Sequence, residues 1–278
     1  MGNTADRSPD DPLAPLAELP GVPQAVASVR KAVDQVYGHR VMRRRSAEVS
    51  AEAALRGARA SAALDGADWA LEEVRRRSDF GVDGEARTVG GALRATAESG
   101  HLLDVWRQSP MRVLARLHLV AVGGNETQDF VGRPRRAGES VADDRLDLPL
   151  PDADEVAARL TALTRLLVSP SEAPALVTAA VVHAELRVLR PFRSCNGLVA
   201  RSAERIVMVG SGLDPKAVAP SEVGHAEQGE GAYRAALAGY ASGTAQGVAD
   251  WIAHCGRAAE LGSRESTAVC EALQRGAA

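Results

Sequence analysis

Cysteine is scarce in this chain: Cys195, Cys255 and Cys270 are the only three in 278 residues, and no CxxC pair occurs. Such usage argues against a disulfide framework and against a zinc site, and it suits a reducing cytoplasm. Aromatics are sparse too, with three each of Trp, Tyr and Phe, too few for the stacking platforms of a nucleic-acid binder. No stretch approaches the roughly 18 uninterrupted apolar residues of a membrane span. The opening MGNTADRSPDDPLAPLAELP has neither an apolar signal core nor a basic n-region. A cytoplasmic protein that binds neither nucleic acid nor membrane is therefore expected. Charge of one sign is lacking as well: a formal net charge of -3 and a pI near 6.1 give no general pull toward polyanions. Lysine is nearly absent, Lys31 and Lys216 standing beside 31 arginines. That bias reflects GC-rich coding more often than arginine chemistry, so each arginine has to be argued from its position.

What is present is helical pattern. With 45% hydrophobic residues the chain can bury one sizeable core or two small ones. Residues 1–22 combine prolines with aspartates and show no apolar period, so they read as a flexible leader. Val26, Val29, Val33 and Val36 then recur at helical spacing, and an alanine-rich register continues to about Arg77 with a break at Gly66. Helices are expected near 89–107, 110–122, Pro151 to Val168, 173–189, 197–210, just after Pro215, and 232–260. The stretch 123–151 has no helical period, and its Phe130, Val131 and Val141 suit at most a short β-hairpin. The expected fold is all-α with one irregular excursion. It divides into the leader, N-terminal helices over 23–88 and a helical domain over 89–278.

Two apolar helices flank a polar break, PALVTAAVVHAELRVL, then RPFRSCNG, then LVARSAERIVMVGSGL. Pro191 cannot continue the first helix, and Asn196-Gly197 suits a turn that exposes backbone N–H groups at the start of the second, where an anion can be held. No dinucleotide fingerprint competes, because Gly210 and Gly212 follow a helical stretch and Pro215 stands where a last glycine is needed. His39, His101, His118, His225 and His254 form no metal-ligand spacing.

The segment RPFRSCNGLVAR, residues 190–201, resembles the Fic (Fido) family signature HPFxDGNGRxxR and keeps its Pro-Phe pair, its Asn-Gly pair and its last arginine. His183 lies seven residues ahead, as the family often has it, GLDP follows the second helix, and residues 233–255 resemble the family's closing Tyr, Ala-Leu and Trp-Ile pattern. FVGRPR and PLPDADEV resemble its flap and the helix start beyond, which in the family position the target protein. The resemblance implies the helical Fic fold and an AMP transfer from ATP to a protein hydroxyl.

Against that implied chemistry, four positions depart. Arg190 stands at the base position, and a guanidinium stays protonated at physiological pH. Ser194 stands at the acidic metal ligand, so magnesium binding is expected to be weak or absent. Cys195 replaces a loop glycine and Leu198 a phosphate-binding arginine. His183 is no ready substitute base, because seven residues of helix span about 10 Å.

Among the retained residues, Pro191 and Phe192 are expected to anchor the loop. Asn196 either holds phosphate or caps the following helix, Gly197 supplies backbone geometry, and Arg201 faces a phosphate, pairs with a carboxylate or is solvated. In SAALDG, Ser61, Asp65 and Gly66 resemble the family's inhibitory-helix motif, with Asp65 one methylene shorter than its glutamate. A pair between Asp65 and Arg201 is the expectation there; the alternative is that Asp65 and Gly66 merely end a helix. Arg187, Arg190 and Arg193 form either a positive patch or a solvated face, and Cys195 is either a reactive thiol or an inert small residue. Together these residues suggest a catalytically impaired Fic-like scaffold that binds an unknown protein partner and possible ATP, with self-association left open. The alternative is a divergent nucleotidyl- or phosphotransferase.

Overall fold

Val29, Val33 and Val36 are buried along one side of helix α1 (Val22–Gly38), the outcome their spacing of four and three residues demands, and Val26 is partly buried against the same core. The computed structural model describes residues 11–81, 83–142 and 145–276. Among them the regular structure is helical and no strand occurs. The fold is all-α. After α1 come α2 (Met42–Leu64), α3 (Leu71–Arg76), α4 (Gly84–Ser99), α5 (Leu103–Trp106) and α6 (Pro110–Val122). A long irregular segment leads to α7 (Ala153–Val168), α8 (Ala175–Leu189), α9 (Asn196–Gly210), α10 (Ser221–Gln228), α11 (Glu230–Ala241) and α12 (Ala245–Gln274).

Helix α8 is buried along nearly its whole length, with Leu176, Val177, Val182, Leu186 and Leu189 each at 2% exposure or less. Each such side chain contributes roughly 1.5–3 kcal/mol of transfer free energy. It packs along α9 and against α12, while α1 and α10 lie on α12, and α2 lies on α4 and α10. The helices before residue 88 are thus built into the same body as those after it. Gly91 permits the close α4–α6 crossing and Gly224 the α10–α12 one, since a Cβ on either would run into the backbone of α6 or α12.

Several local expectations change. Residues 1–10 of the expected leader lie outside the described residues. From Asp11 onward the chain is packed: Leu13 is 2% exposed, residues Ala14–Glu18 form a 3-10 turn, and the Asp11 carboxylate accepts from Ser171 and the Glu172 N–H. Leucines at 13, 16 and 19 give this stretch enough apolar surface to seat on the core. The expected helix at 89–107 starts earlier and breaks at Gly100. The one at 232–260 breaks at Gly243, in left-handed backbone, and resumes as α12 to Gln274. After Pro215 the chain turns on Asp214, whose carboxylate accepts from Val218 N, Ala219 N and Tyr37 OH, and helix resumes only at Ser221. The excursion at 123–152 forms no hairpin among its described residues. Instead it borrows hydrogen-bond partners from the α8–α9 loop, Arg135 N donating to Pro191 O at 2.7 Å and Ala142 N to Arg193 O at 2.7 Å.

Candidate functional site

The loop between α8 and α9 is framed by two non-glycine residues in left-handed backbone, Arg190 at φ 45° and Cys195 at φ 56°. Each costs on the order of 1 kcal/mol, so the surrounding contacts must hold them. Asn196 supplies one brace: its Oδ1 accepts from Phe192 N at 2.9 Å and its Nδ2 donates to Phe192 O at 2.8 Å. The Asn196 amide is thereby committed to the loop itself, which is neither of the two roles its position suggested. Phe192 is 1% exposed and stacks on His118 at 4.3 Å with the rings 7° from parallel. His118 Nδ1 accepts from Gly132 N at 2.9 Å, so α6, the irregular segment and the loop meet at one imidazole. Burial pushes His118 down to about 4, against the pull of the Glu126 carboxylate.

Arg190 is held by backbone carbonyls before α7 and near the end of α8. Its guanidinium donates to Leu148 O at 3.1 Å and to Pro149 O, and its Nε to Val188 O at 3.2 Å. Arg135, also buried, donates from Nε to Arg190 O at 3.0 Å and from its guanidinium to Pro151 O. Two interleaved arginines therefore lash the segment before α7 to the end of α8. The expected solvated or patch-forming stripe of Arg187, Arg190 and Arg193 does not form: Arg187 and Arg190 are buried, and Arg193 lies over the Phe130 ring at 3.9 Å. Helix α8 is buried on all sides, which leaves no solvated face for such a stripe.

One turn into α9, Arg201 is 1% exposed and meets α2. Its Nε donates to Ser61 Oγ at 2.7 Å, its Nη2 donates to Ser61 O at 2.9 Å, and the same nitrogen pairs with Asp65 Oδ2 at 2.9 Å. Burial works most strongly on the Arg201 charge and against it, but the Asp65 carboxylate and Tyr233 together hold the pKa above the ordinary arginine value. The Asp65 carboxylate also lies directly over Gly197, so close that a Cβ there would collide with it. An anion thus sits at the first turn of α9, where N–H groups and helix dipole favour one. Asp65 also ends α2, and Gly66, at φ 95°, turns the chain away with Ala67 N bonded to Ala62 O at 2.9 Å. Asp65 therefore ends α2 and also pairs with Arg201, so it does more than terminate a helix.

At the loop's other side, the Ser194 hydroxyl donates to Glu126 Oε1, and Glu126 Oε2 is buried without a hydrogen bond. A neutral hydroxyl already donating to a carboxylate does not fit the role of an acidic magnesium ligand. Leu198 is buried against alanines of α2, α4 and α6 in place of a charged phosphate contact. Cys195 is partly buried beside that same cluster. His183 lies deep in the core, with Nδ1 2.6 Å from Glu204 Oε2 and Nε2 2.7 Å from Tyr233 OH. The Tyr233 hydroxyl also reaches Arg201. Glu126, Arg135, His118 and Glu204 had no signal in the sequence, since each matters through a partner distant in the chain.

No family model matches the sequence, and no curated protein matches it either. Solved structures do match. A Fic family protein from Desulfovibrio desulfuricans superposes with a TM-score of 0.69 at 22% identity, over 88% of this chain and 74% of that one. This chain has the Fic fold. Fic-1 (residues 134–508) from C. elegans has the same Fic fold, at TM-score 0.66 and 17% identity over 90% of this chain and 72% of that chain. A Fic domain containing signaling protein from Bacteroides thetaiotaomicron follows at 0.59 and 10%, over 89% and 98%. On the Fic fold the RPFRSCNGLVAR loop, its braces and the α2 carboxylate form a site where motif and geometry coincide. No helix among the described residues is long and apolar enough to cross a membrane.

Proposed function

We propose that this chain is a degenerate member of the Fic family, a protein-binding scaffold that keeps the anion loop as architecture and transfers no nucleotide. The observation that carries the reading is Arg190. At the position where the family resemblance calls for a base stands a permanently protonated side chain, and its donors are spent on backbone carbonyls of 148, 149 and 188. It can neither accept a proton nor turn toward a phosphate without releasing the segment before α7. The Asp65 carboxylate adds to this. A nucleotide phosphate at the start of α9 has to displace an anion already paired with Arg201. The partner in this reading is a protein, met through the irregular segment that the family resemblance assigns to target positioning.

Incubating purified protein with labelled ATP, Mg²⁺ or Mn²⁺ and a cell lysate tests the reading. No label above that of an Arg201→Ala control is expected, and calorimetry is expected to show little or no ATP binding. One observation favours the second reading, a divergent nucleotidyl- or phosphotransferase acting on a protein hydroxyl: Glu126 brings a carboxylate to Ser194, on the side of the loop where the family's acidic ligand belongs. That reading requires metal-dependent labelling that disappears in Glu126→Gln.

A further inference from the structure

Below Arg201, four helices send donor atoms to one point in the core. His183 comes from α8, Glu204 from α9, His225 from α10 and Cys255 from α12, and one ligand atom of each lies within 4.8 Å of all the others. Glu204 Oε2 is at the centre, 2.6 Å from His183 Nδ1 and 3.3 Å from His225 Nε2. All four residues are at most 2% exposed. We propose that this cluster is a structural metal site for zinc or a similar divalent transition ion, bound by His183 Nδ1, Glu204 Oε2, His225 Nε2 and the Cys255 sulfur.

Three features of the cluster lead there. The first is the donor set. Two imidazoles, one carboxylate and one thiolate are the mix that zinc accepts in closed four-coordinate sites, whereas magnesium and calcium take oxygen ligands. The second is size. A tetrahedron with metal–ligand bonds of about 2.0–2.3 Å has ligand edges of roughly 3.3–3.8 Å. The spread among these four atoms brackets that range, so the His183 and Glu204 side chains need only part slightly to admit an ion. The third is charge. One carboxylate and one thiolate balance a divalent cation, leaving a neutral cluster in a dry interior, where an unbalanced charge is costly.

Outer support is in place for one of the two imidazoles, His225 Nδ1 being buried without a hydrogen-bond partner. A metal-bound imidazole ordinarily donates its other N–H to a fixed partner, and His183 Nε2 has Tyr233 OH at 2.7 Å. Trp251 closes one wall, edge-on to His183 at 5.1 Å, with its indole N–H held by Ala180 O at 2.8 Å. Chain spacing gives no hint of such a site, because each ligand comes from a different helix and the usual short-range pairs never arise. A bound ion would pin α8, α9, α10 and α12 to one another one turn below Arg201. Tyr233, which bonds His183 and lies near enough to act on the Arg201 charge, would carry that rigidity to the anion loop.

The test uses the full chain, purified without a histidine tag, stripped with a chelator and reloaded with zinc or with cobalt. Elemental analysis is expected to find about one zinc per chain after desalting. The cobalt form is expected to show the visible bands of a tetrahedral ion with a sulfur-to-cobalt charge-transfer band in the near ultraviolet. Cys255→Ser is expected to lose the sulfur band and, as the loss of a ligand itself and not of an outer partner, to retain metal at least about tenfold less well, while Cys270→Ser keeps both. Should Cys255→Ser not fold, X-ray absorption on the zinc-loaded wild type decides, a shell with one sulfur and lighter nitrogen and oxygen ligands being expected. Wild type that retains less than about a tenth of an equivalent under these conditions, or metal bound without a sulfur ligand, overturns the proposal. So does a sulfur band lost in Cys270→Ser. None of these readouts depends on nucleotide transfer.

Discussion

Asp65 of α2 and Arg201 of α9 form a carboxylate–guanidinium pair at 2.9 Å, and the same carboxylate covers Gly197 at the first turn of α9. The arginine is buried and the aspartate nearly so, at 1% and 11% side-chain exposure. Removing one partner therefore strands a charge. Asp65→Ala is expected to lower stability by roughly 3–5 kcal/mol, read from the denaturant midpoint, and Asp65→Glu to recover part of the loss. Gly197→Ala drives a methyl group into the carboxylate and is expected to be destabilising in the wild type. It is expected to be far milder in the Asp65→Ala background, with a coupling of about 1–3 kcal/mol. Additive losses would mean that Asp65 and Gly197 do not share the site.

Arg190 is expected to act as a strap. Arg190→Met keeps much of the bulk and removes the donors to residues 148, 149 and 188. The expected loss is about 2–4 kcal/mol, since hydrogen bonds from a charged group are worth more than neutral ones. Limited proteolysis supplies the specific readout: cleavage in 145–151 should accelerate well before cleavage elsewhere. Uniform acceleration would show a global effect.

Cys195 adopts φ 56°, ψ 18°, backbone that glycine takes without steric penalty. Cys195→Gly is expected to raise the melting temperature slightly, by the equivalent of up to about 1 kcal/mol, after the loss of its partial packing. A clear fall in melting temperature would show that the thiol's contacts outweigh the backbone strain.

His118 should make the loop acid-sensitive. Its pKa in the folded protein is pushed down to about 4 by burial, from an ordinary value of 6.5. The unfolded chain thus takes up this proton from about pH 6.5 downward, while the folded protein refuses it until about pH 4. The stability from His118 is complete above pH 6.5 and is lost as pH falls toward 4, by up to about 3 kcal/mol. Replacing it by glutamine, which can still accept from Gly132 N, should flatten the stability curve between pH 4 and 6.5. An unchanged slope would place the acid sensitivity elsewhere.

Helix positions were largely legible because valine and leucine stripes carry the 3.6-residue period, and the loop stood out through Pro191, Phe192, Asn196 and Gly197. The Asp65–Arg201 pairing could be anticipated only through the resemblance of SAALDG to the family's inhibitory-helix motif. Arg190's partners could not, because backbone carbonyls have no residue identity to read. The packing of residues 11–22 was hidden by prolines that outweighed three leucines. Glu126 and His118 lie far from the loop in sequence, and the His183, Glu204, His225 and Cys255 cluster exists only once four helices converge. Local pattern marks elements and turns; contacts between distant elements depend on how those elements pack.

The most direct test of the account is labelled-ATP transfer by wild type and by Asp65→Ala, side by side, with Mg²⁺ or Mn²⁺ and lysate. Opening the α9 turn should allow some ATP binding by calorimetry in the variant, yet no labelled protein in either sample, because Arg190 supplies no base. Labelling above background that vanishes on adding Arg201→Ala would contradict the account.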